Sequence, residues 1–381
     1  MIPYGKHTIF PDDIDAVTQV LEQGFLTQGQ QVPAFERALC DYTGAAFAVA
    51  CNSGTSGLHI ACLAAGVTSG EVVWTVPNSF AASANCARYC GAEVDFVDID
   101  PVTRNLCTAS LVDKLHLAAA ENKIPKVIIV VHFAGSSCDM AEIAAITEPF
   151  GITLVEDAAH ALGAQDAQQH VVGASKYSAM TVLSFHPVKS ITSAEGGAVL
   201  TNDDELAALL RRYASHGITR DPAMLGDAHQ EEPWFYAQFE LGFNYRLSDV
   251  HAALGLSQLK HLDSFVARRY NLAQVYHKAL ADLPVIRPVL DPNSAWHLYM
   301  IELVEHDRKQ VFNALRERGI GVNVHYIPIH LHPYYQQLGF RPGQFPNAEH
   351  YYHRALTLPL FPALSADNQM EVITQLSEVL S

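Results

Sequence analysis

No apolar run in this 381-residue chain reaches membrane-spanning length, and its N-terminus, MIPYGKHTIFPDD, lacks the apolar centre of a secretion signal. Both absences point to a cytoplasmic protein without a membrane partner. Positive charge is scarce. Against 40 Asp and Glu stand 24 Lys and Arg, a formal net charge of −16. A nucleic-acid-binding surface calls for a basic stripe, so that class of partner is disfavoured. A small anion is not, because a local nest of backbone N–H groups can hold phosphate within an acidic protein. The 7 cysteines are odd in number, scattered through apolar surroundings and without a CxxC pair. They read as buried reduced thiols, with no disulfide frame and no zinc knuckle. Walker A and GxGxxG motifs, internal repeats and low-complexity tracts are also missing.

What remains is an ordinary globular composition, 49% hydrophobic and 17% charged, over a length that usually divides in two. The pattern places a large domain at 1–260, with segment 1–30 near its site, and a smaller α+β domain at 261–381. Apolar runs ending in polar turns and followed by helical periodicity recur from about 46 to 200. That alternation predicts an α/β fold with a mostly parallel central sheet. Strands are expected at Phe47–Ala50, Glu71–Val76, Glu93–Val97, Val127–Val131, Ile152–Val155, Thr181–Leu183 and Ala198–Leu200. One long helix is expected from Val250 to about Leu283, then strands at Ala295–Val304 and Val322–Tyr326 around a helix at Asp307–Gly319.

The chemistry-bearing residues fall after the carboxyl ends of strands, where open α/β sheets carry their sites. TVLSFHPVKSITSAEGG, residues 181–197, sets Ser184, His186 and Lys189 between two buried strands. Desolvation disfavours an ammonium, so this lysine can become a nucleophilic amine able to form a Schiff base. Asn52-Ser53-Gly54-Thr55-Ser56-Gly57 opens a helix and suits an anion, although serines there also serve as plain caps. Asp157 and His160 follow a buried strand; Asp157 could equally cap a helix. Phe80 ends another strand, as a site residue or a core aromatic. His325, His330 and His332 invite a metal reading, but their spacing matches no ligand pattern.

Asn52–Gly57, Glu156–Gly163, Ser184–Gly197 and Gly242–Asp249 together resemble the DegT/DnrJ/EryC1/StrS family of sugar aminotransferases, nearly end to end. The resemblance implies a type I PLP-dependent transferase (aspartate aminotransferase) fold with pyridoxal 5'-phosphate as cofactor. Lys189 would carry that cofactor and move protons; Asp157 would pair with its ring nitrogen. His160 would lie near the ring hydroxyl and Phe80 against the ring face. The backbone around Gly54, Thr55 and Ser56, with the Ser184 hydroxyl, would hold its phosphate, and Asn244 would reach that phosphate from a partner subunit of a homodimer. Tyr4, Gly24, Phe25, Leu26, Thr27, His325 and Tyr326 match substrate-reading segments. The narrower likeness, carried by Pro3-Tyr4-Gly5, Leu26–Gly29, Trp74–Pro77 and SFHPVKSIT with AEGGAV, implies amination at C4 of a UDP-linked 4-keto-6-deoxy-N-acetylhexosamine. L-glutamate would be the donor. Some relatives replace the lysine with histidine and dehydrate sugars; here Lys189 favours transamination. Alternatives are another nucleotide 4-ketosugar, a non-catalytic sensor or regulator, and a metal-dependent hydrolase using the histidine run.

Overall fold

The computed structural model describes residues 1–226 and 232–381. The chain opens with helices α1 (Pro11–Gln23) and α2 (Gln31–Thr43), then alternates β1 (Phe47–Cys51), α3 (Gly54–Ala64), β2 (Val72–Thr75), α4 (Ala82–Tyr89), β3 (Glu93–Phe96) and α5 (Thr108–Ala120). It continues with β4 (Val127–Val131), α6 (Met140–Thr147), β5 (Thr153–Asp157), β6 (Met180–Ser184), β7 (Gly197–Thr201) and α7 (Asp204–Ala214). A short hairpin, β8 (Ile218–Thr219) and β9 (Ala237–Gln238), flanks the four-residue helix α8 (Pro222–Leu225).

These strands form a seven-stranded sheet in the order β1-β7-β6-β5-β4-β2-β3. Only β7 opposes its neighbours; the pairs from β3 through β6 are parallel. Helix crossovers cover both faces of such a sheet, which is why β4 reads VIIVV and every residue of it is buried. The antiparallel turn of β7 has a consequence for chemistry. It brings Gly197, at the start of that strand, to the edge where the parallel strands end.

After α9 (Asp249–Leu259) and α10 (Leu262–Ala279), β10 (Val285–Ile286), β11 (Tyr299–Leu303) and β12 (Ala355–Leu358) form a three-stranded antiparallel sheet. Helix α11 (Arg308–Glu317) packs on this sheet, α12 (Pro333–Gln337) docks instead on α4, its Tyr335 hydroxyl donating to Asn85 Oδ1 at 2.6 Å, and α13 (Pro346–Arg354) and α14 (Ala366–Val379) complete the small sheet's surroundings. That sheet has its own apolar cluster, including Tyr276, Tyr299, Leu315, Leu356 and Leu376.

Two expectations are corrected. The single helix from Val250 breaks between Leu259 and Leu262, where the His261 ring meets Phe10 and its Nε2 lies 3.0 Å from Asp12 Oδ2. Val322–Tyr326 is not a strand: its backbone pairs with β12 at a single bridge, between Asn323 and Thr357. Its Asn323 side chain accepts from the Val324 N–H at 2.9 Å, and Asn78 Oδ1 accepts from the Tyr326 N–H at 3.3 Å. Backbone donors satisfied by side chains leave no ladder to extend.

Candidate active site

A cavity of about 480 Å³ opens at the carboxyl edge of the large sheet. Its wall includes Gly54, Thr55, Phe80, Asp157, His160, Ser184, Lys189, Tyr4, His325 and Tyr326, all singled out from the sequence.

The α3 end is built for an anion. Ser53 caps the helix, its Oγ accepting the Ser56 N–H at 3.0 Å, so the N–H groups of the first turn remain open at Gly54 and Thr55. Close approach requires glycine at two positions. A Cβ on Gly54 would lie 2.9 Å from Ser184 Cβ, and one on Gly197 would lie 2.6 Å from the Gly54 nitrogen. The Ser184 hydroxyl thereby flanks the helix start. A phosphate fits these donors: dipole, open N–H groups and hydroxyl converge on one corner.

Opposite this corner, β5 ends in Asp157. One carboxylate oxygen accepts the Ser83 hydroxyl at 2.6 Å and the other the Ala159 N–H at 3.1 Å. Ser83 in turn pairs with Ser79 at 2.7 Å. This fixes the rotamer of a nearly buried carboxylate and leaves an anion facing the cavity, suited to a protonated ring nitrogen. The neighbouring Glu156 anchors the same strand end from elsewhere: its carboxylate meets His132 Nε2 at 2.7 Å and accepts the Ser178 hydroxyl at 2.5 Å.

Lys189 projects from the loop between β6 and β7. Burial lowers its pKa to about 8, with the Asp157 carboxylate pulling the other way. The amine therefore titrates near neutrality, as a Schiff-base lysine requires. His160 lies beside it with Nδ1 accepting the Ala134 N–H at 3.3 Å and Nε2 within 3.1 Å of the Tyr326 hydroxyl. Burial, then the charge of Lys189, holds His160 well below the usual imidazole range, and the same causes lower His325 to about 3. These rings are neutral at physiological pH.

Phe80 stands at the cavity mouth, 62% exposed, its ring 6.3 Å from that of Tyr326. Tyr4 is carried in by the N-terminal segment, which pairs through Ile2 with Ile320, and its ring sits 5.3 Å from His325.

Not every expected residue is on this wall. Ser56 is buried, and its hydroxyl donates to Asn52 Oδ1 at 2.6 Å, so it braces the loop below the cradle. Gly24, Phe25, Leu26 and Thr27 lie outside the cavity of their own chain, their loop fastened to α9: Leu26 O accepts the Asp249 N–H at 3.0 Å. Phe25 is 78% and Leu26 53% exposed. Asn244 is exposed and likewise off the wall, its backbone bridged to Ser215. The three histidines of the supposed metal run have separate surroundings. His325 pairs with Thr357 Oγ1 at 2.8 Å, His330 with Glu349 at 3.0 Å, and His332 starts α12.

Other residues at the site went unrecognised in the sequence. Ser79 and Ser83 show a usable signal, two hydroxyls at i,i+4 after a strand end. His297 shows none. It lines the cavity with its ring 4.3 Å from His160, but it sits in what reads as a continuing strand. A backbone turn at Trp296, φ 49°, ends that reading.

Comparison with known proteins accords with this geometry. The family model for the DegT/DnrJ/EryC1/StrS aminotransferases matches residues 8–377. The spore coat polysaccharide biosynthesis protein SpsC of Bacillus subtilis is 37% identical over 388 residues, covering 100% of this chain and 97% of that protein. The UDP-4-amino-4,6-dideoxy-N-acetyl-beta-L-altrosamine transaminase of Campylobacter jejuni is 38% identical over 365 residues, covering 94% and 92%. Among solved structures, Helicobacter pylori PseC, an aminotransferase involved in the biosynthesis of pseudoaminic acid, superposes with a TM-score of 0.88 at 31% identity, covering 100% of this chain and 99% of that one. Solved neighbours carry the cofactor in pyridoxal or pyridoxamine phosphate form, and the fold is that of the type I PLP-dependent transferases. With a lowered-pKa lysine, a cavity-facing carboxylate and an open helix start sharing one cavity, the chain belongs to the DegT/DnrJ/EryC1/StrS aminotransferase family, with pyridoxal 5'-phosphate as its cofactor.

Proposed function

We propose that this enzyme transfers the amino group of L-glutamate to C4 of a UDP-linked 4-keto-6-deoxy-N-acetylhexosamine. The expected product is UDP-4-amino-4,6-dideoxy-N-acetyl-β-L-altrosamine. The observation that carries the reading is the convergence of Lys189, Asp157 and the Gly54–Ser184 corner on one cavity. The choice of sugar rests on the 38% identical altrosamine transaminase and on PseC. Similarity to SpsC is of the same order, which keeps a different nucleotide 4-ketosugar as the second reading.

The bound cofactor supplies an electron sink for the carbon from which a proton is removed. The protein's part follows from its own groups. Lys189, with a pKa of about 8, accepts and returns a proton on one face of the cavity without a large energetic gap. Asp157, oriented by Ser83, holds the positive charge of a ring nitrogen. His160, neutral and oriented by Ala134 N–H, presents Nε2–H to Tyr326 and so keeps an uncharged polar wall beside the amine. Gly54, Thr55 and Ser184 fix the phosphate end.

The exposed Asn244 and the exposed loop 24–27 are read as contributions to a second copy's cavity in a homodimer. That reading accounts for polar and apolar side chains set off their own chain's wall but matched to site segments. Tyr4, His325 and Tyr326 would face the sugar from within the same chain.

The test is a product assay with UDP-4-keto sugars epimeric at C5, alongside dTDP- and GDP-linked ketosugars, with glutamate as donor. Amination of the UDP-linked β-L-arabino form alone is expected. Preference for a dTDP- or GDP-linked sugar would move the assignment to the second reading.

A further inference from the structure

Where α1 begins, beside the break between α9 and α10, three metal-ligating side chains meet outside the cofactor cavity. One oxygen of Asp12, one oxygen of Asp13 and one ring nitrogen of His261 lie within 4.8 Å of one another. Acids in a first helical turn complement the helix dipole, so Asp12 and Asp13 by their presence alone decide nothing.

The state of Asp13 is what the dipole leaves unexplained. Its side chain is 0% exposed, and Oδ2 accepts the Phe10 N–H at 2.9 Å and the Gln258 amide at 2.5 Å. Oδ1 is buried as well and has no hydrogen-bond partner. Among the described residues no lysine or arginine forms an ion pair with this carboxylate. A buried carboxylate oxygen with neither donor nor counter-charge is costly, and a bound cation supplies the missing partner.

His261 and Asp12 supply the rest of a donor set. The imidazole packs on Phe10, ring centroids 4.4 Å apart, and against Phe265 at 6.0 Å, which fixes its plane with Nε2 toward Asp12. Ligand bonds of about 2.1 Å at right angles put neighbouring donors about 3 Å apart. His261 Nε2 and Asp12 Oδ2 already stand 3.0 Å apart. The Asp12 side chain is 45% and that of His261 26% exposed, which leaves an ion a route from solvent.

We propose that Asp12, Asp13 and His261 bind one divalent transition-metal ion of the Mn²⁺ or Zn²⁺ type. Two carboxylates and one imidazole suit that class better than the all-oxygen sets of Ca²⁺ or the thiolate sets of softer ions. Asp13 gives Oδ1, His261 gives Nε2, and water completes the coordination. The ion ties the start of α1 to the α9–α10 junction. Gln258 already joins these parts, donating to Thr8 O at 3.0 Å as well as to Asp13. The chain runs from this point back to Tyr4 on the cavity wall, so the ion anchors one end of the segment that carries a site residue.

The experiment uses the cofactor-loaded enzyme without an affinity tag, stripped of metal by chelating resin and titrated with MnCl₂. Electron paramagnetic resonance of the free ion should show one Mn²⁺ bound per chain, displaced by ZnCl₂. At an ion concentration about 100-fold above the dissociation constant, Tm should rise by roughly 3 °C. Asp12→Asn and His261→Gln alter partly exposed side chains, and glutamine keeps a donor toward Asp12 while removing the imidazole. Each should weaken binding about tenfold or more and cancel the rise in Tm. The cofactor's visible band in each variant verifies that the fold is intact. No bound Mn²⁺ or Zn²⁺, leaving a hydrogen-bonded Asp12–His261 pair only, or binding unchanged in both variants, would overturn the proposal.

Discussion

Lys189 should cost the cofactor-free protein stability, and removing its charge should return it. The lowering of its pKa from 10.5 to about 8 by burial corresponds to about 3 kcal/mol against the ammonium, at about 1.4 kcal/mol per pH unit. The sign follows from proton counts. Between about pH 8 and 10.5 the unfolded chain holds the lysine proton and the folded chain does not, so stability rises with pH across that window. Below about 8 both states are protonated and the folded state bears the whole penalty. Lys189→Met keeps the length and removes the charge. At pH 7 it should therefore stabilise the cofactor-free enzyme by about 2–3 kcal/mol, the lower figure allowing for partial solvent access. For a chain of this size that is a rise of roughly 2–6 °C in Tm. Calorimetry of stripped wild type and variant at pH 7 and pH 10.5 measures it, and the difference should vanish at the higher pH. A methionine variant less stable at pH 7, or a difference independent of pH, would refute a desolvated amine.

Other residues give independent checks. Ser83→Ala removes the 2.6 Å hydrogen bond to Asp157; a bond to a charged group is worth about 1.5–3 kcal/mol, so cofactor retention in dialysis should fall roughly ten- to a hundredfold. Gly197→Ala drives a methyl into the Gly54 nitrogen, and the displaced α3 start should cost about 1–3 kcal/mol in denaturation and weaken inorganic phosphate binding to the stripped enzyme. Tyr326→Phe removes the hydroxyl beside His160 Nε2, leaving a buried donor unpaired; kcat should drop about tenfold with the phosphate corner intact. Because burial holds His160 and His325 far below the usual imidazole range, the pH–rate profile should show no inflection near 6.5 from either. Nuclear magnetic resonance titration of labelled imidazoles checks it directly.

The sheet was legible because its strands are short apolar runs ended by polar turns, and both faces are buried. VIIVV at β4 permits little else. Lys189, Asp157, Ser184 and Gly54 were legible for a related reason: each follows a strand end, so topology alone brings them to one edge. Ser83 and His297 depend on geometry that sequence spacing does not encode. Ser83 reaches Asp157 across 74 positions, and His297 enters the wall through a turn at Trp296. The break in the helix at 260–261 was hidden because Lys and His are both acceptable helix residues; the contacts of His261 with Phe10 and Asp12 are tertiary. Ser56 reads like its neighbours Gly54 and Thr55, yet helix phase turns its side chain inward to Asn52. Gly24 to Thr27 and Asn244 project from surfaces, and no single chain's packing determines what they meet.

The most direct test of the central claim is borohydride reduction of the enzyme as purified, followed by digestion and mass spectrometry. The account predicts a phosphopyridoxyl group on Lys189 and on no other lysine. Lys189 recovered unmodified, with the label elsewhere or absent, would contradict it.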